Sequence, residues 1–248
     1  MRLLLSVAVL TVGAVCAAAQ TARTSRASQT FETSAGPVKV TPIYHASTLI
    51  EAGGKAIYVD PAKPSDFTGL PPADLILITD IHGDHMDPAA VATVSKAGTQ
   101  IIAPAAVVKT VTTAKTLSNG ETTKWDQWTI EAIPMYNLVR GPEPGKLFHD
   151  KGRGNGYVLT YGGKRFYFSG DTENIPEMRA LKNIDVAFVC FNLPYTMTPE
   201  EAADGVLAFH PKVVIPYHFR NSDVSIFQKK LEGSGIEVRV LDWYPKKS

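Results

Sequence analysis

The feature that most constrains this chain is a charged segment that directly follows a short apolar run. The apolar run, residues 75–78, has the length of a buried strand and is preceded by Pro71 and Pro72. The next nine residues, 79–87, read T-D-I-H-G-D-H-M-D. Binding and catalytic residues commonly lie on loops that leave a rigid sheet. A solvated turn is the alternative, but such a turn would not need two histidines among its carboxylates. The segment therefore predicts a metal site at a strand end.

Further candidate ligands also stand beside predicted strands. Asp171 follows the apolar residues 166–170, and His218 follows residues 213–217. His149 lies in a glycine-rich segment that precedes a strand. If these strands share one edge, the sequence predicts a cluster of seven side chains: Asp80, His82, Asp84, His85, His149, Asp171 and His218.

The pattern of predicted elements indicates an α/β fold. Strands predominate in two stretches of the chain, and helical signals follow each stretch. Residues 198–201 read T-P-E-E, which is a capping box with proline at the first helical position. Asp87 before Pro88 is a second predicted helix start. Two successive halves of this kind predict two sheets sandwiched between helices.

Composition limits the classes of partner. The chain has 248 residues, 44% of them hydrophobic and 20% charged, which is enough apolar material for a substantial core. The net charge is +1 and the basic residues are scattered, so no face for binding nucleic acid is predicted. A small-molecule substrate is the expected partner. The sequence leaves the oligomeric state open.

The first residues are typical of an export signal. Met1-Arg2, an apolar stretch and Ala17-Ala18-Ala19 predict a signal peptide over residues 1–19, too short to span a membrane stably. Residues 20–36 are interpreted as a flexible leader, and residues 37–248 as one domain. A periplasmic or secreted protein is expected. Whether Cys16 is removed or lipidated stays open, and Cys190 is interpreted as a buried structural thiol.

The motifs together resemble the metallo-β-lactamase superfamily. The resemblance rests on D-x-H-x-D-H at residues 80–85, a later histidine, S-G-D-T at residues 169–172 and P-Y-H at residues 216–218. It covers about residues 38–241 and implies a four-layer αββα sandwich. The segments Y-H-A-S at residues 44–47 and P-Y-T-M at residues 194–197 are similar to the branch that contains bacterial ascorbate-phosphate lactonase.

The resemblance also implies roles for the seven side chains. One divalent metal would be bound by Asp80, His82 and His149. A second would be bound by Asp84, His85 and His218, with Asp171 bridging the two ions. A hydroxide between the metals would be the nucleophile, because a bound divalent ion lowers the pKa of water from 15.7 to roughly 7. Asp84 and His218 are also the candidate catalytic residues.

Asp80 departs from the family pattern, in which most members have histidine. A third carboxylate would leave two divalent ions and a hydroxide with no net charge, so a substrate would be polarised more weakly. Zinc is the expected metal, with manganese and iron as alternatives that an oxygen ligand favours. If Asp80 points away from the site, a single metal is expected instead.

Two further residues, His45 and Asp60, have two interpretations each. His45 is interpreted as a neighbour of the site or as a structural histidine, and Asp60 as a residue that orients a ligand histidine or as a turn residue. His210 is expected to be structural. Surface exposure is the default interpretation of three arginines, Arg140, Arg153 and Arg220, and binding of an anionic substrate group by one or more of them is the alternative.

The sequence supports one main function and two alternatives. The main hypothesis is an exported hydrolase that cleaves an ester, lactone, amide or phosphodiester bond. The first alternative is a metal-binding protein of the same fold with weak or lost catalysis. The second is an iron-dependent redox enzyme. Fold alone does not choose the substrate.

Overall fold

The computed structural model describes residues 27–245, which form two seven-stranded sheets and five helices. The first sheet contains seven strands in chain order: β1 (Gln29–Phe31), β2 (Val38–Tyr44), β3 (Ser47–Ala52), β4 (Lys55–Val59), β5 (Ala73–Leu77), β6 (Ser95–Ala103) and β7 (Lys115–Thr116). Its helices are α1 (Pro88–Val94) and α2 (Ala105–Val108). Strands β1 to β4 pair antiparallel, and β4 to β7 pair parallel.

In the second sheet, seven strands again neighbour one another in chain order, from β8 to β14. Its strands are β8 (Thr122–Trp125), β9 (Trp128–Met135), β10 (Gly154–Tyr161), β11 (Lys164–Phe168), β12 (Val186–Cys190), β13 (Val213–Tyr217) and β14 (Glu237–Val238). Its helices are α3 (Pro176–Arg179), α4 (Pro199–Phe209) and α5 (Val224–Leu231). Strands β8 to β11 pair antiparallel, and β11 to β14 pair parallel.

Strand β5 shows how the layers are built. Leu75 and Leu77 pack into the core between the two sheets, whereas Ile76 and Ile78 pack against α1 and α2 on the other face. Successive side chains of a strand point to opposite faces, so a continuous apolar run is what a strand buried on both faces requires. Helices α3 to α5 cover the outer face of the second sheet. The predicted αββα sandwich is confirmed.

Both predicted helix starts are confirmed. Asp87 accepts hydrogen bonds from the backbone N–H groups of Ala89 and Ala90 at the start of α1. Thr198 and Glu201 form a reciprocal capping box at the start of α4. These caps satisfy backbone donors that have no partner inside the helix.

The boundary predicted at residue 37 is wrong within the described residues. Residues 29–31 form β1, which pairs with β2, and Phe31 is buried in the core between the sheets. The polar residues around Phe31 hid this edge strand, since a three-residue strand has almost no periodicity to detect. Residues 1–26 and the predicted signal peptide lie outside the described residues. Within residues 27–245, no helix combines the length and apolar character that crossing a membrane requires.

Candidate metal centre

One edge of the sandwich gathers all seven predicted side chains. The loop after β5 contributes four of them, because the helix that follows does not begin until Pro88. Asp171 follows β11, His218 follows β13, and His149 lies in the loop between β9 and β10. The carboxyl ends of parallel strands meet at one edge of a sheet, which explains why residues far apart in sequence converge here.

The first group consists of Asp80, His82 and His149, whose potential ligand atoms lie within 4.8 Å of one another. Asp80 Oδ2 is 2.9 Å from His82 Nδ1 and 3.9 Å from His149 Nε2. Asp80 and His149 are buried, whereas the side chain of His82 is 42% exposed. The first group is therefore open on the side of His82.

Arg153 binds both carboxylate oxygens of Asp80. Its Nε donates to Oδ1 at 3.1 Å, and its Nη2 donates to Oδ2 at 3.0 Å. Gly154, the first residue of β10, allows this strand to approach the loop that carries Asp80. A Cβ at position 154 would lie 2.8 Å from the carbonyl oxygen of Thr79, which is too close. Burial raises the pKa of Asp80, but His82, His85 and Arg153 outweigh burial and lower it to about 2. Asp80 is thus a carboxylate whose charge is balanced by an arginine.

The second group consists of His85, Asp171 and His218, all of them buried. Asp171 Oδ2 is 3.3 Å from His85 Nε2, and its Oδ1 is 3.1 Å from His218 Nδ1. Asp171 Oδ2 is also 3.3 Å from Nε2 of His149, a member of the first group. Asp171 therefore contacts both groups, as its predicted bridging position requires.

Asp84 does not join the second group as closely as the resemblance implied. Its Oδ2 lies 3.4 Å from His218 Nε2, and these two residues form a further cluster with His45. The ring of His45 packs 3.7 Å from that of His218, centroid to centroid. The interpretation of His45 as a neighbour of the site is therefore the one that the structure supports. Burial lowers the pKa of His45 to about 4, so this ring is neutral near pH 7.

Asp60 orients His85. The Asp60 carboxylate accepts from the backbone N–H and the hydroxyl of Thr79, and it lies 2.8 Å from His85 Nδ1. Because a carboxylate only accepts, Nδ1 of His85 carries the hydrogen, and its Nε2 faces Asp171. Burial lowers the pKa of His85, but Asp171 and Asp60 outweigh burial and raise it well above its ordinary value. This pocket therefore attracts positive charge.

His149 is oriented by a pair of residues that the sequence analysis did not identify. The amide nitrogen of Asn137 donates to Glu173 and to the carbonyl of Tyr195, so the amide oxygen of Asn137 faces His149 Nδ1. That nitrogen must carry the hydrogen, so the ring is fixed with its Nε2 facing Asp171. Neither Asn137 nor Glu173 lies in a recognisable motif.

The donor set fits a divalent metal. Although other site atoms lie near them, four buried atoms make no hydrogen bond of acceptable geometry within the described residues: Nε2 of His85, His149 and His218, and Oδ1 of Asp171. A buried polar atom without a partner is destabilising, and such atoms are rare unless a ligand completes them. Histidines whose far nitrogen is held by a carboxylate or amide are the arrangement that metal-binding proteins use. Imidazole and carboxylate suit zinc, iron and manganese.

Backbone strain is concentrated at this edge. Seven non-glycine residues in the described chain have positive φ, and four of them surround the site: His45, Asp60, His218 and Arg220, with φ between 43° and 57°. This conformation is costly for residues with a side chain and persists where the surrounding structure enforces it. At these four positions it directs polar side chains toward the same space.

Two adjoining cavities open at the site. The central cavity, about 320 Å³, is lined by residues that include His82, His149, Asp171, Asn192, Tyr195 and Arg220. The side cavity, about 480 Å³, is lined by residues that include Tyr44, His45, Lys63, Arg220, Asn221 and Tyr244. Asp84 and Arg220 line both cavities. A ligand in one cavity can therefore extend past Arg220 into the other.

Of the three arginines considered for an anionic group, only Arg220 lines these cavities. Arg153 is paired with Asp80, and Arg140 contacts Glu173 at 3.3 Å and Glu201 at 2.7 Å. Arg140 and Arg153 are therefore held in ion pairs within the protein, and Arg220 is the one of the three that faces the cavities. The sequence could not show this, because each pairing partner lies more than thirty residues away in the chain.

Comparison with known proteins identifies the family. Residues 39–218 match the family model of the β-lactamase superfamily domain. A UPF0173 metal-dependent hydrolase from Pyrococcus furiosus is 32% identical over 230 residues, covering 82% of this chain and 96% of the relative. The chain belongs to the metallo-β-lactamase superfamily.

Two solved structures share this architecture. A crystal structure of a Parabacteroides distasonis protein is 40% identical, with a TM-score of 0.84, and the match covers 89% of this chain and all of that one. Igni18, a metallo hydrolase from Ignicoccus hospitalis, is 26% identical with a TM-score of 0.68, covering 82% of this chain and 94% of its own. The match to the metallo-β-lactamase superfamily thus spans both sheets.

Proposed function

We propose that this protein is a metal-dependent hydrolase that cleaves an ester, lactone, amide or phosphodiester bond. The observation that carries the proposal is the convergence of four unpartnered buried atoms, three imidazole nitrogens and one carboxylate oxygen, beside an open cavity. Relatives named as metal-dependent hydrolases support the same reaction class. The proposed ligands of two divalent ions are Asp80, His82, Asp84, His85, His149, Asp171 and His218.

The chain's own residues position this centre. When bound, the ions would lower the pKa of water and polarise the oxygen of the bond under attack. Asp171 contacts histidines of both groups and would contribute its carboxylate to the binding of both ions. Asp60 and Asn137 fix the two ring orientations that direct Nε2 inward. Ligands that are already oriented lose less entropy when a metal or substrate binds.

Arg153 changes the electrostatic consequence of the third carboxylate. Without Arg153, the three carboxylates would offset more of the positive charge of the two ions than the two carboxylates of a relative with histidine at position 80. The guanidinium, bidentate on Asp80, returns one positive charge to the site. The centre then has the formal charge that a histidine at position 80 would give, and zinc remains the metal we propose, with manganese and iron as alternatives.

We also propose that the substrate carries an anionic group. The side cavity is lined by two cations, Lys63 and Arg220, and by one carboxylate, that of Asp84. Asp84 already contacts His45, His218 and Arg220. Lys63 and Arg220 thus place positive charge beside the side cavity. We also propose that the protein is exported, a proposal supported by the signal-like residues 1–19, and the lactonase-like branch stays a prediction.

The deciding experiment is elemental mass spectrometry on mature protein purified without chelators or nickel, followed by a hydrolysis screen. We expect close to two equivalents of metal and turnover of at least one lactone, ester or phosphodiester. Two equivalents without turnover would support the metal-binding alternative instead. Protein that neither retains nor takes up divalent metal would contradict the proposal.

A further inference from the structure

Large apolar side chains are exposed around the mouth of the candidate metal centre. Seven such residues are exposed within residues 27–245, and five stand on loops that also carry site residues: Ile81, Leu138, Val139, Leu193 and Tyr195. We call these five the apolar rim. The other two are Leu207, on α4, which carries no site residue, and Val240, on the segment after β14 that also carries Tyr244 of the side cavity. Single exposed apolar residues are ordinary, but a concentration around one cavity marks a binding surface.

Three rim residues adjoin the central cavity in sequence or in space, and the other two, Leu138 and Val139, follow Asn137, which orients His149. Ile81 lies between Asp80 and His82, and Leu193 follows Asn192, which lines the central cavity. Tyr195 lines the same cavity directly. Its ring meets that of Phe148, another lining residue, edge to face at 5.1 Å. The rim is therefore continuous with the wall of the central cavity.

The loop that displays Leu138 and Val139 is held firmly. Both backbone N–H groups donate to the carboxylate of Glu173, at 2.9 and 3.2 Å. The preceding residue, Asn137, connects this loop to the carbonyl of Tyr195 at 2.8 Å. Val139 is nevertheless 76% exposed and Leu138 47% exposed. A backbone held in place while its apolar side chains face water is typical of a preformed binding surface.

We propose that the apolar rim binds the acyl chain of an ester substrate whose carbonyl reaches Asp171 and the histidines. This inference rests on the proposed hydrolase function and adds a substrate class to it. The geometry provides three zones in sequence: the rim, the central cavity with the metal ligands, and Arg220 with the side cavity. Burying rim side chains under an acyl chain releases water from both surfaces, so affinity increases with chain length.

The kinetic test compares p-nitrophenyl acetate, butyrate and octanoate with the metal-loaded mature protein. We expect kcat/KM to rise at least about tenfold from acetate to octanoate, since a single methylene in an apolar pocket already discriminates by about that factor. Val139→Ser and Leu193→Ser should each lower the octanoate-to-acetate ratio. Leu207→Ser is the matched control, because it removes an equally exposed leucine from α4, and its ratio should equal that of the unmodified protein.

A binding test separates this inference from the hydrolase proposal. Methyl-, butyl- and octylphosphonate cannot be hydrolysed, and their affinity for the metal-loaded protein can be measured by calorimetry. Octylphosphonate should bind at least about tenfold more tightly than methylphosphonate, and Val139→Ser should reduce that difference. If this holds while no ester is cleaved, the rim is supported and ester hydrolysis is not.

Two results would overturn the rim proposal. The first is hydrolysis or phosphonate binding that does not change with chain length, including no phosphonate binding at all. The second is a change in molar mass by light scattering in Val139→Ser and Leu193→Ser without any chain-length preference. That second result would assign the same side chains to a contact between copies of this chain.

Discussion

The first and second groups are connected by Asp171, a member of the second that also contacts His149 of the first, but they are supported in different ways. In the second group every side chain is buried, and Asp60 fixes His85 from behind through hydrogen bonds with Thr79. The first group is open at His82, and its carboxylate is balanced by an arginine. Among the described residues, the ion-pair partners of Asp171 are all histidines, whereas Asp80 already has the guanidinium of Arg153. We therefore expect the second group to bind its metal more tightly than the first.

The largest effect is expected where the two groups meet. Asp171→Ala removes the carboxylate that contacts His85, His149 and His218, so the protein should lose the ability to retain a metal pair. Elemental mass spectrometry after gel filtration measures this loss. Asp150→Ala is the matched control, because Asp150 is an exposed carboxylate beside His149 and its removal should leave the metal content unchanged. Two retained equivalents in the Asp171 variant would refute its bridging position.

A smaller effect should separate the groups. Asp60→Asn keeps the shape of the side chain but removes the charge that holds His85 Nδ1–H, and loss of such a partner typically lowers metal affinity by about 10–100-fold. Competition with a chelator should show a weakened second site and an unchanged first site. The matched control is Asp74→Asn. Asp74 is a carboxylate on β5 that pairs with Lys96, and its replacement should change neither site. Equal weakening of both sites would show that the groups do not bind independently.

The Arg153 pair predicts an effect on stability instead of on the second metal. Arg153→Met leaves the buried carboxylate of Asp80 without its cation, which should reduce the stability of metal-free protein by about 3 kcal/mol. Added metal should recover much of this loss, because it supplies the missing positive charge. Thermal denaturation with and without zinc measures both changes. Arg179→Met, in an exposed pair with Asp204, should cost less than about 1 kcal/mol.

Combining Arg153→Met with Asp80→His extends this test. The double variant replaces a carboxylate and its cation with one imidazole, so metal-free stability should return toward that of the original protein. Asp80→His alone would place a guanidinium beside three histidines and should weaken metal binding at the first group. A stable, metal-replete Asp80→His single variant would show that Arg153 is not tied to the carboxylate.

The smallest effect is expected at His210, which the sequence interprets as structural. This residue ends α4 in a left-handed conformation, and its ring contacts the carbonyl of Ser234 at 3.0 Å. His210→Ala should leave the metal content unchanged and reduce stability by less than about 1 kcal/mol, the size of a helix-end contribution. A melting temperature lowered by more than about 4 °C, or any loss of metal, would contradict this interpretation.

Much of the site could be predicted because its signals are local. Residues 80–85 carry their spacing within one loop, and residues 75–78 identify the strand before it. Asp171 and His218 each follow a recognisable apolar run. The predicted position of Asp60 behind a ligand histidine also agrees with its contact to His85. The short edge strand β1 could not be predicted, since three residues show no useful periodicity.

The sequence by itself determined the αββα layering, through the apolar runs of its strands, and the identity of the candidate ligands, through their spacing. Only the tertiary structure decided how their charges and orientations are set. Arg153 reaches Asp80 across 73 residues, and Glu173 reaches Asn137 across 36. Such pairs form because the two sheets meet at one edge. A local sequence pattern has no information about which distant residues meet there. The apolar rim is likewise visible only once its separate loops are brought around one cavity.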